Sequence, residues 1–215
     1  MDRPVSAKAR KQLAASDPVM AALIERIGEI DLATRLERRA EERPPDAYGA
    51  LLRAIVGQQL STKAARTIYL RVLEIFDGTT PSPEQLLDAD EEALRGAGLS
   101  GRKVEYIQDL ARHVLSGELE LDRLDQLSDE EAIEEIVAVR GLGQWTAEMF
   151  LLFHLRRPDV ISGGDLGIRK AIQIEYGMEE MPSPQGVVEI GERWKPNRSL
   201  ASLYLWESLA NAPDA

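Results

Sequence analysis

The sequence predicts an all-α protein of about ten helices. Apolar residues recur every three or four positions along most of the chain, and no stretch sustains the alternation typical of a half-buried strand. Within residues 47–60, four large apolar residues fall on one helical stripe: Leu51, Leu52, Ile55 and Val56. Residues 145–155 are apolar almost all round, which is typical of a helix buried at the centre of a fold.

Residues typical of helix ends indicate where the elements begin. Asp17 precedes Pro18, and this pair predicts a cap and a first turn because the missing N–H of proline costs little there. Ser128 and Glu131 match the capping box that opens a helix. Other predicted boundaries are the caps Ser61 and Ser100 and the stop Gly117. The remaining predicted elements are a turn with a short helix over 79–90, a loop over 156–165, a helix over 166–177 and a final helix over 199–210.

The composition limits the class of protein. The 215 residues contain no cysteine and two histidines, which excludes disulfides, thiol nucleophiles and cysteine-ligated metal clusters and disfavours a histidine-built metal site. The net charge is −11, so the overall charge lowers the expectation of nucleic-acid binding without excluding it. No apolar run matches a signal peptide or a membrane span, and we expect a cytoplasmic protein with no membrane partner.

Residues 136–150, IVAVRGLGQWTAEMF, predict two helices joined by a tight glycine turn. Gly141 and Gly143 allow backbone angles that other residues resist, and they expose main-chain N–H groups at the start of the second helix. Such groups bind a phosphate without a positive side chain, which is how an acidic protein can bind DNA. From the hairpin alone, an ordinary corner between two helices is an equally good interpretation.

Three stretches, taken together, resemble one family. They are LLRAIVGQQLSTKAARTIYLRV at 51–72, GLGQWTAEMFLLFHLRRPDVISGGDLGIRKAI at 141–172 and RWKPNRSLASLYLW at 193–206. They resemble the helix-hairpin-helix DNA glycosylases, and among them the AlkA-type 3-methyladenine DNA glycosylase II branch in a compact form without an N-terminal β-domain. The resemblance implies a bilobal fold with the catalytic cleft between the lobes. The implied lobes are 1–45 with 160–215 and 46–159, the latter with the hairpin near 128–155.

The resemblance assigns the chemistry to Asp165, which ends the loop SGGD. The residues themselves agree, because an Asp directly before a helix is positioned as its N-cap and the helix dipole favours its ionised form. Such a carboxylate can stabilise an oxocarbenium-like sugar cation and orient or deprotonate water. A plain helix cap is the commoner role for an Asp in this position. Family members usually carry a proline close to the aspartate, so Gly163 and Gly164 predict a looser loop or a shifted pocket wall.

The resemblance also implies a pocket for an extruded base. Family members that cleave the DNA strand carry a Schiff-base lysine in the hairpin motif where this sequence has Trp145. The absence of that lysine predicts a monofunctional enzyme in which water is the nucleophile. The residues predicted to line the pocket are Trp145, Trp206 and Met149, with the indoles suited to stack on a cationic base. Core packing is the alternative for each tryptophan, and for Trp194 it is the interpretation that we favour.

Further residues are implied as contacts to DNA. Gln59 in the turn VGQQLS is the candidate wedge that fills the space left by a flipped nucleotide. The other predicted DNA contacts are Gly141, Gly143, Gln144, Thr146, Ser61, Arg102 and Lys103, with Lys195 and Arg198 as additional phosphate contacts. No cofactor is expected to be required. A structural Na⁺ or K⁺ is expected at the hairpin, bound by the main-chain carbonyls of Val137, Arg140 and Leu142.

The sequence therefore predicts a monofunctional DNA glycosylase of base excision repair that acts as a monomer on double-stranded DNA. The expected substrates are alkylated purines, 3-methyladenine first and then 7-methylguanine, and a bacterial protein of this kind is expected at the nucleoid. The positive charge of an alkylated base already weakens its glycosidic bond, so cation stabilisation and positioning suffice. The alternatives are a glycosylase for oxidised or deaminated bases, a non-catalytic helix-hairpin-helix damage sensor and an acidic protein-interaction domain.

Overall fold

A computed structural model describes residues 7–30, 44 and 46–210 of the chain. These residues form twelve α-helices and two short 3₁₀ segments, with no strand among them, which confirms the all-α prediction. The helices are α1 Ala7–Ser16, α2 Pro18–Ile27, α3 Ala47–Gly57, α4 Thr62–Glu74, α5 Pro83–Asp88, α6 Glu91–Gly96, α7 Gly101–Ser116, α8 Asp129–Ala138, α9 Gln144–Phe153, α10 Leu166–Glu175, α11 Pro184–Gly191 and α12 Arg198–Ala210. The 3₁₀ segments are Leu121–Gln126 and Glu192–Trp194. None of the described helices is long and apolar enough to cross a membrane.

Polar side chains cap the N-termini of four helices at the predicted positions. Asp17, Ser61, Ser100 and Ser128 each accept a main-chain N–H in the first turn of α2, α4, α7 and α8, respectively. Gly117 ends α7 with φ at 77°, in the left-handed region that glycine enters at little cost. Three described helices have no counterpart among the predicted elements: α1, α6 and α11. Of these, α6 has only six residues, too few for a clear apolar period.

The described residues divide into two compact units, with the boundary between Phe150 and Leu151 inside α9. The first unit contains residues 7–30 and 151–210, and Asp17 lies buried within it. The Asp17 carboxylate accepts hydrogen bonds from the Tyr176 hydroxyl at 2.6 Å and the Trp194 indole at 3.1 Å. These bonds join three segments that are far apart in sequence. Trp194 is fully buried, as expected for a tryptophan that packs in the core.

The second unit contains residues 44 and 46–150. Its core is formed by the apolar stripes of α3, α7 and α8, including Ile55, Ile107 and Ile136, which are completely buried. α7 packs against α3 and α5. This arrangement makes α7 the central support of the second unit.

Candidate functional site

Asp165 is the N-cap of α10, as the sequence predicts. Its backbone is extended, with φ at −69° and ψ at 118°, and its Oδ1 accepts the main-chain N–H of Ile168 at 2.8 Å. The side chain is half-buried. The cap therefore fixes one carboxylate oxygen at the positive end of the helix dipole, where negative charge is stabilised.

Trp206 of α12 gives that same oxygen a second donor. Its Nε1 donates to Asp165 Oδ1 at 2.9 Å, and its ring stacks on Phe153 with centroids 5.8 Å apart and planes at 21°. Hydrogen bonds to an ionised acceptor are stronger than those between neutral groups. Trp206 thus orients the carboxylate directly, a contact that the sequence did not reveal. Stacking of Trp206 on an extruded base stays a prediction.

Gly167 leaves room for this contact. A Cβ atom at this position would lie 3.1 Å from Asp165 Oδ1, 3.1 Å from Trp206 Cδ1 and 3.2 Å from Trp206 Nε1. All three distances are tighter than ordinary Cβ contacts. A larger residue at 167 would therefore press on both partners of the hydrogen bond.

The loop before Asp165 packs closely, so the expectation of looseness is wrong at Gly163. A Cβ at Gly163 would lie 2.4 Å from the Pro184 carbonyl oxygen, so glycine is required there by packing on α11. Upstream, the Val160 N–H donates to Ser199 Oγ at 3.0 Å. A Cβ at Gly164 would meet no atom within 4 Å, so the requirement is confined to the first glycine.

Arg198, predicted as a phosphate contact, anchors the same loop. Its guanidinium binds Asp159 through two hydrogen bonds, Nε to Oδ1 at 2.9 Å and Nη2 to Oδ2 at 3.1 Å. Lys195 forms an ion pair with Glu192 at 2.9 Å. Both cations therefore already have carboxylate partners in this structure.

The hairpin turn lies between α8 and α9. Gly141 has φ at 90°, and a Cβ there would lie 2.3 Å from the Tyr106 ring, so no other residue fits this position without displacement. Gly143 has neither a positive φ nor any atom within 4 Å of an added Cβ. The prediction of special backbone angles is therefore right for Gly141 and wrong for Gly143. The neighbouring Arg140 N–H donates to Asp109 Oδ2 at 2.8 Å, which fixes the turn to α7.

Other predicted hairpin contacts differ in exposure. Trp145 is exposed over 50% of its surface, whereas Thr146 is only 8% exposed because it lies on the inner side of α9. The Thr146 side chain is therefore largely covered, and a contact from this residue to DNA stays a prediction. Gln144 is exposed, and its Nε2 donates to Glu148 Oε1 at 3.0 Å. Met149 is half-buried.

The turn after α3 presents Gln59 to solvent. Gln59 has φ at 57°, a left-handed conformation that is uncommon for a residue other than glycine. The adjacent Gln58 donates through Nε2 to the Gly141 carbonyl at 2.6 Å. Ser61 caps α4, and Arg102 is exposed on α7.

Lys103 has a structural partner that the sequence did not reveal. Its Nζ donates to the carbonyls of Val56 at 2.7 Å and Gln58 at 2.9 Å, at the C-terminal end of α3. Burial lowers the pKa of this lysine from its usual range. A direct contact from Lys103 to a phosphate stays a prediction, but two of its donors already face main-chain oxygens.

Comparison with known proteins gives this geometry a context. The family described as HhH-GPD superfamily base excision DNA repair protein matches residues 52–197. DNA-3-methyladenine glycosylase 1 of Schizosaccharomyces pombe is 36% identical over 176 residues, which cover 81% of this chain and 76% of the relative.

Two solved structures have a similar fold over almost the whole chain. A DNA-3-methyladenine glycosidase from Bacillus halodurans has a TM-score of 0.85 and 37% identity, covering 98% of this chain and 94% of its own. A 3-methyladenine DNA glycosylase from Schizosaccharomyces pombe, in complex with abasic DNA, has a TM-score of 0.82 and 31% identity, covering 97% of this chain and 100% of its own.

Proposed function

The chain belongs to the HhH-GPD superfamily of base excision DNA repair proteins, and we propose that it is a monofunctional glycosylase that removes alkylated purines from double-stranded DNA. The observation that carries the proposal is the Asp165 carboxylate, oriented by the Ile168 N–H and the Trp206 indole. Similarity to proteins named 3-methyladenine glycosylases supports the substrate class.

Asp165 supplies negative charge where the sugar becomes positive. The bond between C1′ and the base nitrogen breaks with its electron pair on the base, and a cationic alkylated base therefore leaves neutral. The carboxylate stabilises the oxocarbenium-like sugar. Water then adds to C1′, and its proton passes to Asp165 or to solvent. Because two donors fix Oδ1 beforehand, little reorientation is needed during the reaction.

Trp145 supports the monofunctional assignment. Strand-cleaving relatives place a Schiff-base lysine at this motif position, whereas here an exposed indole occupies it. An indole has no amine to form an imine with the sugar. Water is therefore the nucleophile in the proposed reaction, and the product is an intact strand with an abasic site.

The hairpin is the proposed site for DNA backbone binding. A Cβ added at Gly143 would meet no atom within 4 Å, and Gln144 begins α9, so a phosphate could approach the main-chain N–H groups at this helix N-terminus. This local contact accounts for DNA binding by a chain of net charge −11. Since phosphate contacts release counterions, affinity is expected to fall steeply as salt rises.

The same turn is the proposed site for a monovalent cation. The neighbouring carbonyls of Val139 and Gly141 accept hydrogen bonds from Leu142 N–H and the Gln58 amide. Within the described turn, the carbonyls of Val137, Arg140 and Leu142 accept none of the hydrogen bonds that close it. We propose that these three oxygens bind Na⁺ or K⁺, which would add positive charge near a bound phosphate.

Base release from methylated duplex DNA tests the proposal. The protein is incubated with dimethyl-sulfate-treated DNA and the freed bases are identified by chromatography, with 3-methyladenine expected to appear. A panel of single-lesion duplexes separates the alternatives: release of oxidised or deaminated bases alone favours the related glycosylase, and duplex binding without any release favours the damage sensor. Borohydride treatment during the reaction is expected to trap no covalent complex.

A further inference from the structure

The turn that carries Gln59 is attached to the hairpin by hydrogen bonds that do not depend on DNA. Gln58 Nε2 donates to the Gly141 carbonyl at 2.6 Å, and Gly141 is the residue that packs on Tyr106 of α7. Lys103, three residues before Tyr106 on the same helix, donates to the Gln58 carbonyl. One helix, α7, therefore supports both turns of the second unit that are predicted to contact DNA.

Lys103 acts as a side-chain cap for α3. The last carbonyls of a helix lack intrahelical partners, and a cation at that end is favoured by the helix dipole. The Lys103 ammonium donates hydrogen bonds to the carbonyl oxygens of both Val56, at 2.7 Å, and Gln58, at 2.9 Å. Its own backbone is fixed by Ser100, whose Oγ accepts the Lys103 N–H at 3.3 Å.

Gln59 needs this support because its backbone is strained. A left-handed φ of 57° in a residue other than glycine persists only where the surroundings enforce it. Within the described chain, the turn is closed by the Leu60 N–H, which donates to the Gly57 carbonyl at 3.2 Å. The bonds from Lys103 and to Gly141 both hold Gln58, the residue directly before Gln59. Their removal would let the exposed Gln59 relax to other conformations.

We propose that Lys103 and Gln58 are positioning residues that fix the Gln59 turn against the hairpin, so that insertion into the DNA stack occurs in register with phosphate binding. The inference rests on the proposed function. It assigns Lys103 a role in recognition of a damaged or vacated site, distinct from a contact to the DNA backbone. Loss of either residue would therefore reduce discrimination for such a site and leave nonspecific affinity in place.

Two duplexes test this role: an undamaged one, and one carrying a tetrahydrofuran abasic analogue opposite 2-aminopurine. The wild-type protein is expected to prefer the abasic duplex and to change the 2-aminopurine fluorescence on insertion. Lys103→Met is expected to reduce the preference about tenfold, because the strain of one left-handed residue corresponds to about that factor in affinity. The salt dependence of its affinity for undamaged DNA is expected to stay unchanged. Gln58→Leu, which leaves the α3 cap intact, is expected to act in the same direction.

Matched variants separate positioning from charge. Lys11→Met removes one exposed positive charge from α1 and is expected to keep the preference. Arg102→Met, which removes an exposed charge one residue before Lys103, is expected to reduce the salt slope by about one without affecting the fluorescence change. In a Gln59→Ala background, Lys103→Met is expected to have little further effect, because its action passes through that turn.

The results distinguish the possible failures. If Lys103→Met lowers the salt slope like Arg102→Met and preserves the preference, Lys103 is a phosphate contact and the inference is wrong. Full additivity with Gln59→Ala overturns it as well. If both Lys103→Met and Gln58→Leu, still folded by circular dichroism, keep the wild-type preference, the inference also fails. If the wild-type protein neither prefers the abasic duplex nor releases a base, the proposed function itself is wrong.

Discussion

The hydrogen bond between Trp206 and Asp165 gives the sharpest test of how this site is organised. Trp206→Phe keeps an aromatic ring beside Phe153 but removes the Nε1 donor that lies 2.9 Å from Asp165 Oδ1. A hydrogen bond to a charged group contributes about 1.5–3 kcal/mol. Since each 1.4 kcal/mol is about a factor of ten in rate, base release is expected to slow about ten- to a hundredfold if the bond acts fully in the transition state.

Single-turnover release of base from methylated DNA measures this effect without interference from product dissociation. Trp194→Phe is the matched control, because it also removes an indole donor from an aspartate, Asp17, in the same unit. Trp194 is fully buried, so this control is expected to lower the free energy of unfolding while keeping the rate per folded molecule. A wild-type rate in Trp206→Phe, or an equal rate loss in both variants, would refute the positioning argument.

Three further predictions follow from contacts of the described residues. Gly167→Ala is expected to slow single-turnover release about tenfold with little loss of stability, because its Cβ would press on both partners of the Trp206 bond. Gly141→Ala is expected to cost about 2 kcal/mol or more in urea unfolding, from the Tyr106 overlap and the positive φ, whereas Gly143→Ala should cost well under 1 kcal/mol but weaken DNA binding in a filter assay. For Asp17, burial opposes ionisation, but four hydrogen-bond donors outweigh it and lower the pKa below that of an ordinary Asp. The wild-type protein is therefore expected to lose more stability than Asp17→Asn as the pH falls below about 4, and equal losses in acid titrations of the two would contradict this reasoning.

The sequence predicted the features that depend on neighbouring residues. An Asp before a helix needs only the next three residues to form a cap, so Asp165 could be placed correctly without knowledge of the fold. The same local logic placed the caps of α2, α4, α7 and α8. The resemblance then indicated which of the several aspartates that cap helices carries the chemistry.

The contacts that organise the candidate site could not be predicted in this way. Trp206 lies 41 residues from Asp165, and Lys103 lies 47 residues from Val56, so neither bond follows from periodicity or spacing. Helix α9 is apolar almost all round, which hid the fact that Thr146 faces inward and Trp145 outward.

Glycine is a third case, because its sequence signal is the same for different physical requirements. Gly141 is needed for its backbone angle and for the close Tyr106 ring, and Gly163 is needed for contact with a carbonyl. Gly143 and Gly164 meet neither requirement within the described structure. Only the three-dimensional packing shows whether a glycine is needed for its backbone angle, for a close contact or for neither.

Asp165→Asn tests the central claim most directly. The asparagine Oδ1 can still accept from Ile168 and Trp206, so the fold and the local geometry are retained while the negative charge is removed. We predict that base release from methylated duplex DNA falls by roughly 10²-fold or more under single-turnover conditions, while affinity for undamaged duplex stays within about twofold. Release at the wild-type rate by a folded, DNA-binding Asp165→Asn protein would contradict the assignment of the chemistry to Asp165.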